Sequence, residues 1–217
     1  MAPNGMIAGG FALAFLAGFV NASLLSFYDV PVSHMSGAAT RLGLDLGSGH
    51  GAELATLGAI IGAFFSGAVA SGCLIGRTTL QSGPRYGVVI MIEAALLAVA
   101  GWLLAHQQHA SLYAAACACG MQNAMASSYY GLVIRTTHLT GIVTDLGVLL
   151  GHLLRHRRFD RWKFAVLGAI LTGFIAGALG SALLGDFALN RLYLAAGLAL
   201  AISLGYFAWL RLQNLKS

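Results

Sequence analysis

Six stretches of the chain are long and almost uniformly apolar, at roughly residues 6–28, 53–76, 86–105, 110–132, 162–184 and 190–211. A run of about 20 apolar residues is what an α-helix needs to cross a lipid hydrocarbon core. Charged residues are only 9% of the 217 and hydrophobic ones 58%, with a mean hydropathy of +0.79. The chain therefore predicts an all-α integral membrane protein without a separate soluble domain. Residues 1–10 carry no Lys or Arg and the first run continues to Tyr28, so it reads as a membrane helix and not as a cleaved signal. The net charge of +5 and pI near 9.4 come from basic residues lying between the apolar runs, which fits membrane orientation better than nucleic-acid binding.

Two shorter segments, at about 36–48 and 140–154, decide the topology. At about 1.5 Å per residue, Ser36–Ser48 reaches roughly 20 Å, short of the roughly 30 Å core. The chain also repeats itself. Gly18-Phe19-Val20-Asn21-Ala22 recurs as Gly120-Met121-Gln122-Asn123-Ala124, and Ser33-His34-Met35-Ser36-Gly37 as Thr137-His138-Leu139-Thr140-Gly141. Further on, Gly58-Ala59-Ile60-Ile61 answers Gly168-Ala169-Ile170-Leu171, and Gly67-Ala68 answers Gly177-Ala178. Residues 1–105 and 106–217 thus read as two membrane repeats forming one membrane domain.

Counting positive charges chooses between topologies, because Lys and Arg concentrate on the cytoplasmic side. If all eight segments cross, the two sides carry seven and four basic residues. If the short segments dip in and return, Arg77, Arg85 and Arg135 join Arg155, Arg157, Arg158, Arg161, Lys163, Arg211 and Lys216, against Arg191 alone. The second arrangement is expected: six transmembrane helices plus two re-entrant half-helices, both termini cytoplasmic, and an inverted 3+3 repeat of the kind common in transporters and channels.

Each half-helix has the parts of a re-entrant loop. Asp29-Val30-Pro31-Val32 forms an extended approach to the first, Ser33 or Ser36 caps it, and Gly37 follows. In the second, Thr137 or Thr140 caps and Gly141 follows. Two such N-termini at mid-membrane favour anions through their amide groups, and inverted copies entering from opposite faces are expected to bring the two loops together near the bilayer centre.

The Gly18–Ala22, His34-Met35-Ser36-Gly37, Gln122-Asn123-Ala124 and His138-Leu139-Thr140-Gly141 motifs resemble those of the YoaK-like bacterial multipass membrane proteins, over nearly the whole chain. The resemblance implies a multi-pass protein of the bacterial cytoplasmic membrane. That family is a domain of unknown function and implies no substrate.

His34 and His138 recur just before the two half-helices, where they either meet solute and protons or tie the loops down. Arg41 and Asp145 share one repeat position with opposite charge; Arg41 has Asp45 four residues on, whereas Leu149 stands at the matching place for Asp145. An Arg41–Asp145 interaction across the repeats is one solution. Glu93 lies within an apolar helix, as a proton-coupling group or as a partner for a neighbouring helix. Asn21, Gln122 and Asn123 either line a polar path or bond the loops. The four-residue series Gly58, Gly62, Ser66, Ala70 and Ala169, Gly173, Gly177, Ser181 predict close helix packing. Cys73, Cys117 and Cys119 show neither CxxC spacing nor a His cluster, so no disulfide, metal or other cofactor is expected.

The function these features favour is a channel or secondary transporter for a small solute, anions preferred, along a path between the half-helices lined by His34, His138, Arg41, Asp145, Asn21, Gln122, Asn123 and Glu93. The expected partners are the lipid bilayer and a small-molecule or ion substrate, with no nucleic acid and with a homo-oligomer left open. One rival is a membrane enzyme using His and carboxylate groups, which lacks a dense motif such as HExxH or GxSxG here. Another is a structural or lipid-binding membrane protein, which does not account for polar residues repeated at membrane depth.

Overall fold

The computed structural model describes residues 3–28, 32–48, 51–76, 83–128, 135–157, 159–185 and 191–214. Among these the chain forms eight α-helices and no strand: α1 (Pro3–Tyr28), α2 (Met35–Ser48), α3 (Gly51–Ile75), α4 (Pro84–Ala105), α5 (Ala110–Ser128), α6 (Leu139–His156), α7 (Arg161–Leu183) and α8 (Arg191–Asn214). Five of them are long and apolar enough to cross a membrane, namely α1, α3, α4, α7 and α8. This is a multi-pass membrane protein. The expected continuation of α5 to residue 132, the approach Asp29-Val30-Pro31, and Arg77, Arg158 and Lys216 lie outside the described residues.

Local chemistry marks the helix ends. Pro84 opens α4 after an extended Gly83, where its missing N–H costs nothing. The Asp160 carboxylate caps α7 by accepting from the Lys163 amide at 3.0 Å. Arg157 closes α6 in a left-handed conformation, φ 52°. The half-helix caps differ from the expectation. His138, not Thr137 or Thr140, occupies the N-cap of α6 and makes no side-chain cap bond, while the Ser33 hydroxyl is turned towards Asn21.

The pairing of helices follows the repeat. α1 packs along α7 and α3 along α5, α4 lies against α8, α4 also meets α5 and α1 meets α8, and the short α2 and α6 rest on α3 and α7. Exchanging the halves (α1 with α5, α2 with α6, α3 with α7, α4 with α8) maps each of these pairings onto another of them or onto itself.

Glycine sets how closely the long helices approach. A side chain at Gly18 would overlap the Phe174 carbonyl and one at Gly177 the Phe15 carbonyl; on the other pair, Gly120 meets the Phe64 carbonyl and Gly67 the Cys117 carbonyl. Without a hydrophobic drive inside lipid, such backbone-to-backbone contact is a main source of helix association. The series Ala169, Gly173, Gly177, Ser181 does face the α1 contact. Gly58, Gly62, Ser66 and Ala70 do not: all four are exposed, and a side chain at Gly58 or Gly62 would meet nothing within 4 Å. On α3 the contact runs instead through Gly67, one position on from Ser66, because one residue turns a helix face by about 100°.

Candidate functional site

The motifs that repeat in sequence meet in space. In the first half the Ser33 hydroxyl donates to Asn21 Oδ1 at 2.8 Å, and Ser33 Oγ lies 3.1 Å from His34 Nδ1. With the hydroxyl proton engaged by Asn21, Nδ1 is the donor to Ser33 and the outer nitrogen of a neutral ring is left as acceptor. In the second half Asn123 Nδ2 donates to Thr137 Oγ1 at 2.6 Å, and the Thr137 amide donates back to Asn123 Oδ1 at 3.3 Å. One asparagine on a long helix thus holds each loop that leads into a short helix.

Beside this shared anchor the halves differ. Gln122 is buried and donates from Nε2 to the Leu13 carbonyl at 2.5 Å and to Thr136 Oγ1 at 3.3 Å. The corresponding residues of the first half are Val20 and Val32, both buried in the main apolar cluster. A polar pair in one repeat therefore stands where the other has an apolar pair.

Thr136 of that pair lines a cavity of about 100 Å³, and Gln122 is bonded to two of its lining residues, Leu13 and Thr136. The cavity is walled by the first turns of α1 (Gly5, Met6, Gly9, Gly10, Leu13), Tyr86 and Ile90 of α4, Val166 and Ile170 of α7, Ile202 and Tyr206 of α8, with Met125 and Thr136 from the second repeat. Tyr86, Tyr206 and Thr136 are the lining residues with hydroxyl side chains, and Tyr206 donates to the Gly83 carbonyl at 3.1 Å. No lining side chain is charged. The anion preference expected from the half-helix N-termini therefore has no counterpart among the groups that face this space.

The expected path residues lie elsewhere. His34 is half-buried with its ring edge-on to Phe174, centroids 5.7 Å apart. His138 is exposed and lies over Gly141, where an added side chain would come within 3.3 Å of the ring. Asp145 is exposed and its partner is Lys163 of α7, Oδ2 to Nζ 3.9 Å, in place of the Arg41 contact considered from sequence. Arg41 is exposed on α2. Glu93 is buried, and its Oε2 has no hydrogen-bond partner among the described residues. None of the expected set lines the cavity; Gln122 is bonded to two residues that do, Leu13 and Thr136. Sequence reasoning missed Thr136, Tyr86 and Tyr206. Thr136 adjoins the repeated Thr137 motif, and the two tyrosines carried no signal beyond being hydroxyls near the ends of apolar runs.

Among the described residues, no group of three or more His, Cys, Asp or Glu side chains could hold a metal ion. Cys73, Cys117 and Cys119 are free thiols.

Comparison with curated proteins and with solved structures finds no match. A family model described as "Protein of unknown function (DUF1275)" matches residues 9–205, in keeping with the YoaK-like resemblance, and the chain belongs to that family.

Proposed function

We propose that the chain moves a small uncharged solute across the bacterial cytoplasmic membrane, as a transporter whose entry is the cavity lined by Gly9 and Thr136. The observation that carries this reading is the cavity itself: it lies towards one end of the bundle, between helices of both repeats, and two of its lining residues, Leu13 and Thr136, are bonded to the buried Gln122 amide. A void with apolar walls and a few hydroxyl-bearing residues selects small molecules with a few hydrogen-bonding groups, and disfavours ions that would lose their water without a compensating charge.

Two further observations support the inverted-repeat form of this reading. Asn21 lies seven residues before the end of α1 and Asn123 five before the end of α5, so each anchored loop returns about 8–10 Å along its helix before the short helix begins. A half-helix that starts below the helix ends and packs on the next long helix is how a re-entrant segment satisfies its backbone within lipid. Arg85, Arg161, Lys163 and Arg211 lie at helix ends on the cavity side of the bundle and Arg191 at the other, which favours a cytoplasmic mouth and cytoplasmic termini.

Purified protein in proteoliposomes, followed by light scattering after an osmotic step, tests the reading. Glycerol, urea and short alcohols should enter faster than in empty vesicles, while chloride, formate and acetate should not. Faster entry of anions alone would reject it.

A further inference from the structure

The cavity opens at one end of the bundle, and the repeat names the residues that would line its counterpart at the other. The offset of 102 that relates Gly18 to Gly120 carries Gly9, Gly10 and Leu13 to Ser111, Leu112 and Ala115. The offset of 104 for the loops carries Thr136 to Val32, and that of 110 for α7 and α3 carries Ile170 to Ile60. Gly9, Gly10 and Leu13 are partly exposed, whereas their counterparts Ser111, Leu112 and Ala115 are 1% exposed or less; Thr136 and Ile170, like Val32 and Ile60, are 1% exposed or less. The α1 face is partly open where the equivalent face of α5 is filled.

At the filled end two side chains bridge α1 to other helices: Arg191 of α8 donates to Ser26 Oγ at 3.4 Å, and Tyr28 reaches α5. The Tyr28 hydroxyl, at the end of α1, lies 2.9 Å from Ser111 Oγ and donates to the Gln108 carbonyl at 3.3 Å, while its ring lies 5.4 Å from the His109 ring. Ser111 is the counterpart of Gly9, where the cavity is open and an added side chain would meet nothing within 4 Å. The difference between the two ends thus centres on one repeat position.

We propose that the contact of Tyr28 with Ser111 and Gln108 is the closed gate of an alternating-access cycle, so that the protein is a carrier and not an open channel. This rests on the transport reading and adds its mechanism: opening the Tyr28 end is coupled to closing the cavity at the Gly9 end, as two related halves exchange conformations. Tyr28 is a gating residue here and is given no contact with solute.

The test needs no solute, so it can fail independently of the uptake assay. In full-length protein with Cys73, Cys117 and Cys119 replaced by Ala, Ala115→Cys reports opening of the filled end through its rate of reaction with N-ethylmaleimide. Tyr28→Phe keeps the ring and removes the hydroxyl bonds, and labelling should rise about fivefold, the shift given by loss of one net hydrogen bond of about 1 kcal/mol. Adding Gly9→Trp, which fills the cavity at the far end and prevents its closure, should abolish that rise. Ser111→Ala removes the shorter of the two Tyr28 bonds and should raise labelling in the same direction, which keeps the test open if Tyr28→Phe folds poorly. A rise that persists with Gly9→Trp would mean local fraying without coupling, and no rise in either variant would mean a fixed scaffold contact; either result overturns the proposal.

Discussion

Gly18 on α1 rests directly on the backbone carbonyl of Phe174 on α7, with no space for a methyl group between them. The contact is returned three residues along each helix by Gly177 against Phe15, and the α3–α5 pair repeats the arrangement with Gly120 against Phe64 and Gly67 against Cys117. Phe15 and Cys117, like Phe64 and Phe174, are equivalent positions of the two repeats. Two helix crossings are therefore built to one plan, and between them they fix the spacing of four long helices.

Gly18→Ala and Gly120→Ala each require the helices to separate, at a cost of about 1–3 kcal/mol for an overpacked contact. Gly58→Ala and Gly62→Ala, on open faces, change stability by less than about 0.5 kcal/mol. Thermal unfolding in detergent, followed by loss of the monodisperse size-exclusion peak, checks the contrast. Equal effects at all four positions would contradict the packing described.

Gln122→Val leaves the Thr136 hydroxyl without this donor and costs about 1–2 kcal/mol, within the range for a buried hydrogen bond in a membrane bundle. The double variant Gln122→Val with Thr136→Val reproduces the Val20 and Val32 pair of the first half, and should recover part of that loss as a positive coupling energy. Solute uptake is expected to stay low in the double variant, since the lining residue Thr136 then carries no hydroxyl. Unfolding measurements and uptake on the same preparations separate the two effects.

Asp145→Asn removes an ion pair at 3.9 Å between side chains 38% and 53% exposed. Such a pair contributes less than about 1 kcal/mol and is screened by salt. Both stability and uptake should stay close to those of the unaltered protein, as should those of Lys163→Gln. A large loss of uptake in Asp145→Asn at unchanged stability would move the path to α6.

Much of the helix pattern was legible from apolar runs and their breaks, since length and hydropathy alone distinguish α1 from α2. The repeat was legible too, and the bonds Ser33–Asn21 and Asn123–Thr137 join residues from both of its recurring motifs. Three features were hidden for physical reasons. The α3 contact register differs from the apparent small-residue series by one position, because several small residues on one helix leave its packed face undetermined until a partner is in place. The partner of Asp145 comes from α7, beyond the reach of any i,i+4 rule. The cavity is assembled from the ends of α1, α4, α7 and α8 with Met125 of α5 and Thr136 before α6, so no local pattern announces it.

The central claim is that solute passes through the space beside Gly9, and uptake by Gly9→Trp measures it most directly. A Cβ at Gly9 would meet nothing within 4 Å, so the side chain starts there without displacing a packed contact. Proteoliposomes of the variant, matched to the unaltered protein in folded amount, should lose most of the glycerol and urea entry above empty vesicles while unfolding at a similar temperature. Entry at the unaltered rate in stable Gly9→Trp protein would contradict the account and place the path outside this cavity.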